Sequence, residues 1–487
     1  MTEPQSVQGY IDQTPSWPDG TPTPSVPMTR MQWRIWLLAT AGKFFEGLVV
    51  FMTGVALPLL VKEFDLSPAA KGVVGAAPLA GIMVGAIALG GLADVWGRRR
   101  MFVIEMAVFV VFLGGLALSP SFYWLVFFLF GVGVALGCDY PTAHLVISES
   151  IPSRDRGKLV LGAFAFQAVG ALAGTAMGYA ILVVDPALDA WRWMYAVVVI
   201  PAAFVVVARL FVSDSGQWLM SRGRRAEAER ELARLLEREP QYPKKVRLAE
   251  TVDPDSALYS HDARRGRWSD LFSRKNRRAT ILASVPWFLQ DLGTYGIGIF
   301  TPTILSHTVG HEIAQTSSVA AIVARDIEAA KGAALVDTLL IVGIVAAVFL
   351  ADRVGRIRLQ VWGFVGCAVG LALAGLQAHV EEPARTLLLF GGFMIFNFMT
   401  NIGPNAQTYL LAGEVFPTSI RGKGAGFAAA FAKVGAVITA FVFPVVLASY
   451  GTDWLLAGLV FTSLLGALVT WWFRIETNGV NLEEIGR

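Results

Sequence analysis

Long apolar runs separated by short polar turns set the pattern of this chain. Blocks at 48–61, 72–92, 102–118, 197–212 and 454–473 read through with almost no charge. A bilayer-crossing helix needs roughly 20 mostly apolar residues, because only a helix satisfies its own backbone polar groups away from water. Extending each block to its flanks predicts about twelve spans. They run 33–61, 70–93, 101–118, 122–150, 157–184 and 190–213, then 277–308, 331–352, 357–377, 384–413, 421–448 and 452–473. Trp33 and Trp36 mark an interfacial start to the first. The pattern therefore predicts an all-α membrane protein of twelve transmembrane helices in two six-helix bundles, 33–213 and 277–473. Around them lie an N-terminus (1–32), a linker (214–276) and a C-terminus (474–487). Within the linker, 224–239 mixes Arg and Glu at helical spacing, as a solvated surface helix does.

Composition agrees. Of 487 residues 55% are hydrophobic and 16% charged, and the mean hydropathy is +0.56; a soluble domain carries about 25% charged residues. The net charge of +3 is small and gives no reason to expect nucleic acid. The position of the basic residues says more. Arg98, Arg99 and Arg100, then Arg154, Arg156 and Lys158, then Arg353, Arg356 and Arg358, then Arg421 and Lys423 occupy alternate loops, whereas 119–123 and 451–454 have none. Basic loops face the cytoplasm, so both termini are expected there, in a bacterial inner membrane. The first ~30 residues are rich in Pro, Ser and Thr, carry no cleavable signal, and are expected to be disordered. Cys138 and Cys367 sit in apolar spans as packing residues. No nucleophile–base pair, metal set or phosphate loop is visible, so neither an enzyme nor a cofactor is expected.

The two halves echo each other. Gly90, Asp94, Gly97 and Arg98 follow the second span; Asp352, Gly355 and Arg356 follow the eighth. Glu149 to Arg156 after the fourth span is matched by Glu414 to Arg421 after the tenth. Glycines allow close helix approach, and the acids can pair across to neighbouring helices. A six-plus-six repeat carrying this loop twice resembles the major facilitator superfamily from about 33 to 475. The resemblance implies a monomeric secondary transporter with these loops as gating latches, its substrate between the bundles near the midplane.

Ionisable residues inside spans are costly and mark function by default. Five stand out: Lys43, Glu46, Asp139, Asp291 and Lys433. Lys43 and Glu46, three apart, either neutralise each other or relay protons. Asp139 has no charged neighbour in sequence and reads as a proton or substrate site. Lys433 either snorkels or pairs helices, or faces an anion. Trp287, Asp291 and Tyr295, four apart, share a helical stripe, and Asn397, Asn401 and Asn405 break the tenth span.

Gly137-Cys-Asp139-Tyr140-Pro141, the Trp287/Asp291/Tyr295 stripe, Gly403-Pro404-Asn405, the Glu414–Arg421 segment and Lys433 resemble the phosphate:proton symporter family. That resemblance implies a phosphate site of Tyr140, Gln167, Trp287, Asp291, Tyr295, Asn405 and Lys433, with Glu46 and Asp139 coupling protons. Ionised Asp291 would accept from the O–H of dihydrogen phosphate and repel sulfate. One departure is in the first span, where Val49 replaces a second acid and Lys43 stands a turn before Glu46. The expected function is proton-coupled import of inorganic phosphate. The rival readings are a proton symporter of a small organic anion (an aromatic or dicarboxylic acid), for which Lys43 and Phe44 are available, or of another small solute, and a phosphate-binding nutrient sensor.

Overall fold

Hydrophobic blocks of this length can only be helices in lipid, and the computed structural model shows them so. It describes residues 5–14, 21–22, 28–89, 92–237, 246–248, 268–309, 319–417 and 420–477; the side chains at 94, 140, 157, 306–309, 319, 352, 421 and 422 lie outside that description. The membrane helices are α1 (Arg30–Phe64), α2 (Pro68–Val84), α3 (Arg98–Ala117), α4 (Phe122–Ser150), α5 (Arg156–Val184) and α6 (Ala190–Arg209). The second half has α7 (Arg277–Val309), α8 (Val319–Val354), α9 (Arg356–Gly375) and α10 (Ala384–Ile402, continued by Pro404–Glu414). Arg421–Trp472 is one helical run with a non-helical break at Gly451 (φ 82°), which divides it into α11 and α12. Among the described residues ten helical runs are long and apolar enough to span a membrane, the last of them holding both α11 and α12. The twelfth is α7, whose polar residues lower its hydropathy but whose 33 residues suffice.

The start of α1 is written locally. Thr29 caps Gln32 N–H and the Gln32 side chain returns to Thr29 N–H, a capping box. Thr29 Oγ1 also donates to Leu235 O at 2.6 Å, tying the helix start to the linker.

Packing repeats between the halves. In the first, α1 lies along α5, α2 along α4, and α3 against α4 and α6; in the second, α7 lies along α11, α8 along α10, and α9 against α10 and α12. Three seams join the halves: α5 with α8, α2 with α11, and α1 with α7. The third is tight, since a Cβ on Gly54 would fall 2.2 Å from Ile299 O. Phe300 stacks on Phe443 at 4.7 Å beside it. The halves are thus closed at the end opposite the basic loops.

The basic end differs from expectation in one place. Disorder was anticipated across 1–32, yet Val7–Asp12 is helical and buries Val7, Tyr10 and Ile11. Those side chains pack against Trp218, Leu219 and Leu232 of the linker, and Asp12 accepts from Ser153 N–H at 2.8 Å. The cause is an apolar triplet inside a polar segment. The linker helix Arg225–Leu236 is likewise one-sided, keeping its Arg and Glu residues exposed or half-exposed and burying Ala228, Leu232, Leu235 and Leu236.

Gly97 and Gly355 begin α3 and α9 at φ 103° and 96° with ψ 148°. That region is essentially confined to glycine. Gly97→Ala and Gly355→Ala are each expected to cost about 1–3 kcal/mol, seen as a lower unfolding midpoint in detergent; an unchanged midpoint contradicts this geometry.

Candidate functional site

Midway along the helices, side chains from both halves converge on one cavity of about 480 Å³, its open mouth included. Lys43, Gln167, Trp287, Asp291, Thr294, Tyr295, Asn405 and Lys433 line it, with Ile82, Ala86, Phe164 and Ala429 as an apolar wall. Six of the seven substrate residues expected from sequence are therefore neighbours: Gln167, Trp287, Asp291, Tyr295, Asn405 and Lys433. The Tyr140 side chain lies outside the described residues.

Four charges organise the cavity. Lys433 Nζ is 3.2 Å from Asp291 Oδ2 and donates to Tyr295 Oη at 2.6 Å. Tyr295 Oη donates to Glu46 Oε1 at 3.0 Å, and Gln167 Nε2 donates to the same oxygen at 3.2 Å. Lys43 Nζ closes the set on Glu46 Oε2 at 2.5 Å. Of the two readings for Lys43, its neutralising contact with Glu46 is present; Lys433 does not snorkel to an interface but pairs α11 with α7 through Asp291, and it also lines the cavity. Glu46 and Asp291 are 3% and 2% exposed. Two ammonium groups and two carboxylates cancel, and burial makes that balance matter, because an unmatched charge in a low-dielectric interior costs several kcal/mol.

The polar wall is linked beyond these charges. Gln290 Nε2 donates to Thr294 Oγ1 at 2.7 Å and to Asn405 Oδ1 at 3.2 Å; Asn405 Nδ2 donates to Asn401 Oδ1 at 2.6 Å. Asn401 holds the Leu340 carbonyl of α8 at 2.8 Å. At the Gly403-Pro404 break of α10 the backbone is met by protein, as irregular backbone at membrane depth requires: Gln407 Nε2 donates to the Ile402 carbonyl at 3.4 Å and Gln407 N–H to the Gly403 carbonyl at 2.9 Å.

Toward the basic end, Phe164 of α5 stacks on Tyr409 of α10 at 4.5 Å, and Trp287 meets Tyr409 edge-on at 6.2 Å. These rings separate the cavity from the basic loops. Sequence reasoning missed Phe164 and Tyr409, which carry no motif and meet only because the halves face each other.

Asp139 was expected to be a lone carboxylate, and the structure corrects this. Arg209 at the end of α6 donates to Asp139 Oδ1 at 2.6 Å, to Phe102 O at 2.7 Å and to Leu38 O at 3.0 Å. Glu105 of α3 is 3.5 Å from the same guanidinium. The arginine is seventy residues from Asp139, so linear inspection could not pair them. A usable signal was present: Glu105 and Arg209 each interrupt an apolar run.

The loop motif also gains contacts. Arg98 forks onto Glu149, with Nη2 at 3.0 Å, and Arg356 onto Glu414, with Nε at 2.6 Å. Ser215 Oγ donates to Glu149, and Thr477 Oγ1 donates to Glu414 at 2.5 Å. Asp214 accepts from Arg99 N–H and Glu476 from Arg356 N–H. Asp214-Ser215 and Glu476-Thr477 are therefore a third repeat, overlooked because it lies past the last span of each half. Gly90 lies outside the described residues, as do the side chains of Asp94, Asp352 and Arg421.

Removing Arg209 strands two buried carboxylates. Arg209→Met is expected to lose roughly 3–5 kcal/mol, partly recovered by adding Asp139→Asn, in thermal unfolding of the purified protein. A melt equal to wild type contradicts the pairing.

Residues 35–487 match the family described as "Sugar (and other) transporter". The inner membrane metabolite transport protein YgcS of Escherichia coli is 28% identical, with 95% of each chain covered. An Arabidopsis thaliana protein described as "Probable inorganic phosphate transporter 1-8" is 25% identical over 94% of this chain and 93% of its own. The phosphate resemblance thus has a counterpart, though no closer than the metabolite carrier. The xylose transporter XylE of E. coli, in a partially occluded inward-open conformation, superimposes with a TM-score of 0.72 at 22% identity, covering 93% of this chain and 100% of its own. These matches agree with twelve helices in two pseudo-symmetric halves around a central cavity: the chain is a multi-span transporter, not an enzyme, and it belongs to the sugar (and other) transporter family within the major facilitator superfamily.

Proposed function

We propose that the chain imports a small organic monoanion together with a proton by alternating access, acting as a monomer in a bacterial inner membrane with the basic loops and both termini cytoplasmic. The observation that carries this reading is the charge balance of the cavity. Empty, it holds two lysines and two carboxylates and is neutral. An anion alone makes it negative and a proton alone makes it positive, and each state is costly in lipid. With both bound it is neutral again: a proton on Asp291 or Glu46 frees a lysine to take the anion. Coupling follows from electrostatics, with no need for direct contact between the two ligands.

The choice of an organic anion rests on the second wall. Phosphate offers oxygens on every side, whereas Ile82, Ala86, Phe164 and Ala429 offer none a partner. A carboxylate between Lys43 and Lys433 would place its carbon skeleton against that wall. Lys43 Nζ already sits 5.6 Å from the Phe164 ring centroid. Dihydrogen phosphate is the second reading, favoured by the convergence of Gln167, Trp287, Asp291, Tyr295, Asn405 and Lys433 and by the plant relative. A neutral sugar would not by itself need the fourfold charge set. The rocking motion would use the extended end seams as one gate and Phe164–Tyr409 as the other, with the Arg98–Glu149 and Arg356–Glu414 pairs as latches.

Two measurements check this. In liposomes, labelled benzoate uptake should rise when the outside is acidified, and phosphate, sulfate and xylose should compete poorly; uptake indifferent to the proton gradient removes the coupling, and preferential phosphate uptake selects the second reading. Asp291→Asn leaves a fixed positive charge, so benzoate binding should become independent of pH while accumulation against a gradient falls at least tenfold. Unchanged pH-driven accumulation would contradict the charge balance.

A further inference from the structure

A carboxylate outside the cavity remains unused by the transport site. Asp337 lies on α8, 17 residues from the helix's basic end and so roughly 26 Å along its axis, and is 2% exposed. It sits in the α5–α8 seam between the two halves. Thr175 Oγ1 of α5 is 2.8 Å from Asp337 Oδ2, and Asn397 Nδ2 of α10 donates to Asp337 Oδ1 at 3.2 Å. Among the described residues, no charged or titratable side chain of α1, α5, α7, α9 or α10, the helices packed on α8, acts on it; Thr175 and Asn397 are what face it. On α8 itself the nearest ionisable residues are Lys331 and Glu328, six and nine positions before it, and Asp352, fifteen positions after it.

Proton counting decides its state. A threonine hydroxyl has one proton. Thr175 Oγ1 lies 2.7 Å from the Ala171 carbonyl, which can only accept, and 2.8 Å from Asp337 Oδ2. Were Asp337 ionised, two acceptors would compete for that single proton, and a full negative charge would stand in lipid without a cation. With a proton on Oδ2, the carboxyl donates to Thr175 Oγ1, Thr175 donates to Ala171 O, and Asn397 donates to Oδ1. Every group is then satisfied.

We propose that Asp337 is a proton-binding site of the inter-bundle seam: protonated, it bonds Thr175 and holds α5 against α8, and when the halves separate at the end opposite the basic loops it meets water and ionises. Proton binding at Asp337 therefore favours closure of that end. The site is separate from the Lys43/Glu46/Asp291/Lys433 set, and the proposal does not depend on which solute the cavity takes.

The test uses the full chain in lipid nanodiscs, with Cys138 and Cys367 replaced by serine and spin labels at exposed Val184 and Ala320, at the ends of α5 and α8 opposite the basic loops. The label distance should be short at acid pH and lengthen as pH rises, while Asp337→Asn, a neutral hydrogen-bonding stand-in, should keep it short throughout. An Asn variant that follows the wild-type pH profile overturns the proposal. Thr175→Val gives an independent arm: the transition should move to more acidic pH, and the infrared carbonyl band of a protonated carboxyl should shift because its acceptor is gone. An unmoved transition and an unmoved band overturn it, even if Asp337→Asn fails to fold.

Discussion

Four charges drawn from both halves of the molecule meet at membrane depth, and the requirement that they sum to zero constrains everything around them. Lys43 and Glu46 come from α1, Asp291 from α7 and Lys433 from α11. Lys433 also stands 3.7 Å from Glu46, so the two pairs are a single network across the halves. In water such pairs are worth little; inside a bilayer an unmatched member is intolerable. On the proposed coupling, a ligand arrives in a combination that restores neutrality, and the scaffold keeps these groups close while the halves rock.

Each half does this with the same devices. Arg98 with Glu149 and Arg356 with Glu414 clamp the basic ends of α3 to α4 and α9 to α10. Asp214-Ser215 and Glu476-Thr477 return from past the last span to finish both clamps. Within a half the contacts are ionic at the rim and close-packed in the interior. Between halves, near the cavity, they are aromatic stacks, shared hydrogen bonds and the Lys433–Glu46 contact, and each half keeps its own lysine–carboxylate pair when these part. The Arg209–Asp139–Glu105 cluster belongs wholly to the first half and stiffens it; Asp337 belongs to the seam, and in the proposal above its charge changes when the halves separate.

Much of this was legible in the chain, for physical reasons. Spans are readable because lipid leaves helices no alternative, and each of the twelve sequence-derived ranges lies within or beside an observed helix; the largest departure is α8, whose helix reaches twelve residues further toward its start than the hydropathy suggested. Paired arginine and glutamate loops were readable as a repeat, and so were Asp291, Tyr295 and Lys433, polar residues in places that lipid forbids. Partners drawn from distant spans were not. Nothing near Asp139 announces Arg209, and nothing near Phe164 announces Tyr409. Asp337, an acid within an apolar run, was passed over among the ionisable residues inside spans, and only the hydrogen bonds at Thr175 draw attention to it. The apolar wall of the cavity was also illegible, since Ile82 and Ala429 look like any other lipid-facing residue. That wall turns the solute reading from phosphate toward an organic anion.

Charge compensation predicts a quantity that can be read without transport. Purified protein in weakly buffered solution, mixed with whichever anion the uptake experiments select, should take up one proton for each anion bound, and Asp291→Asn should reduce that number toward zero while binding persists. Anion binding by the wild-type chain with no proton uptake would contradict a cavity that stays neutral.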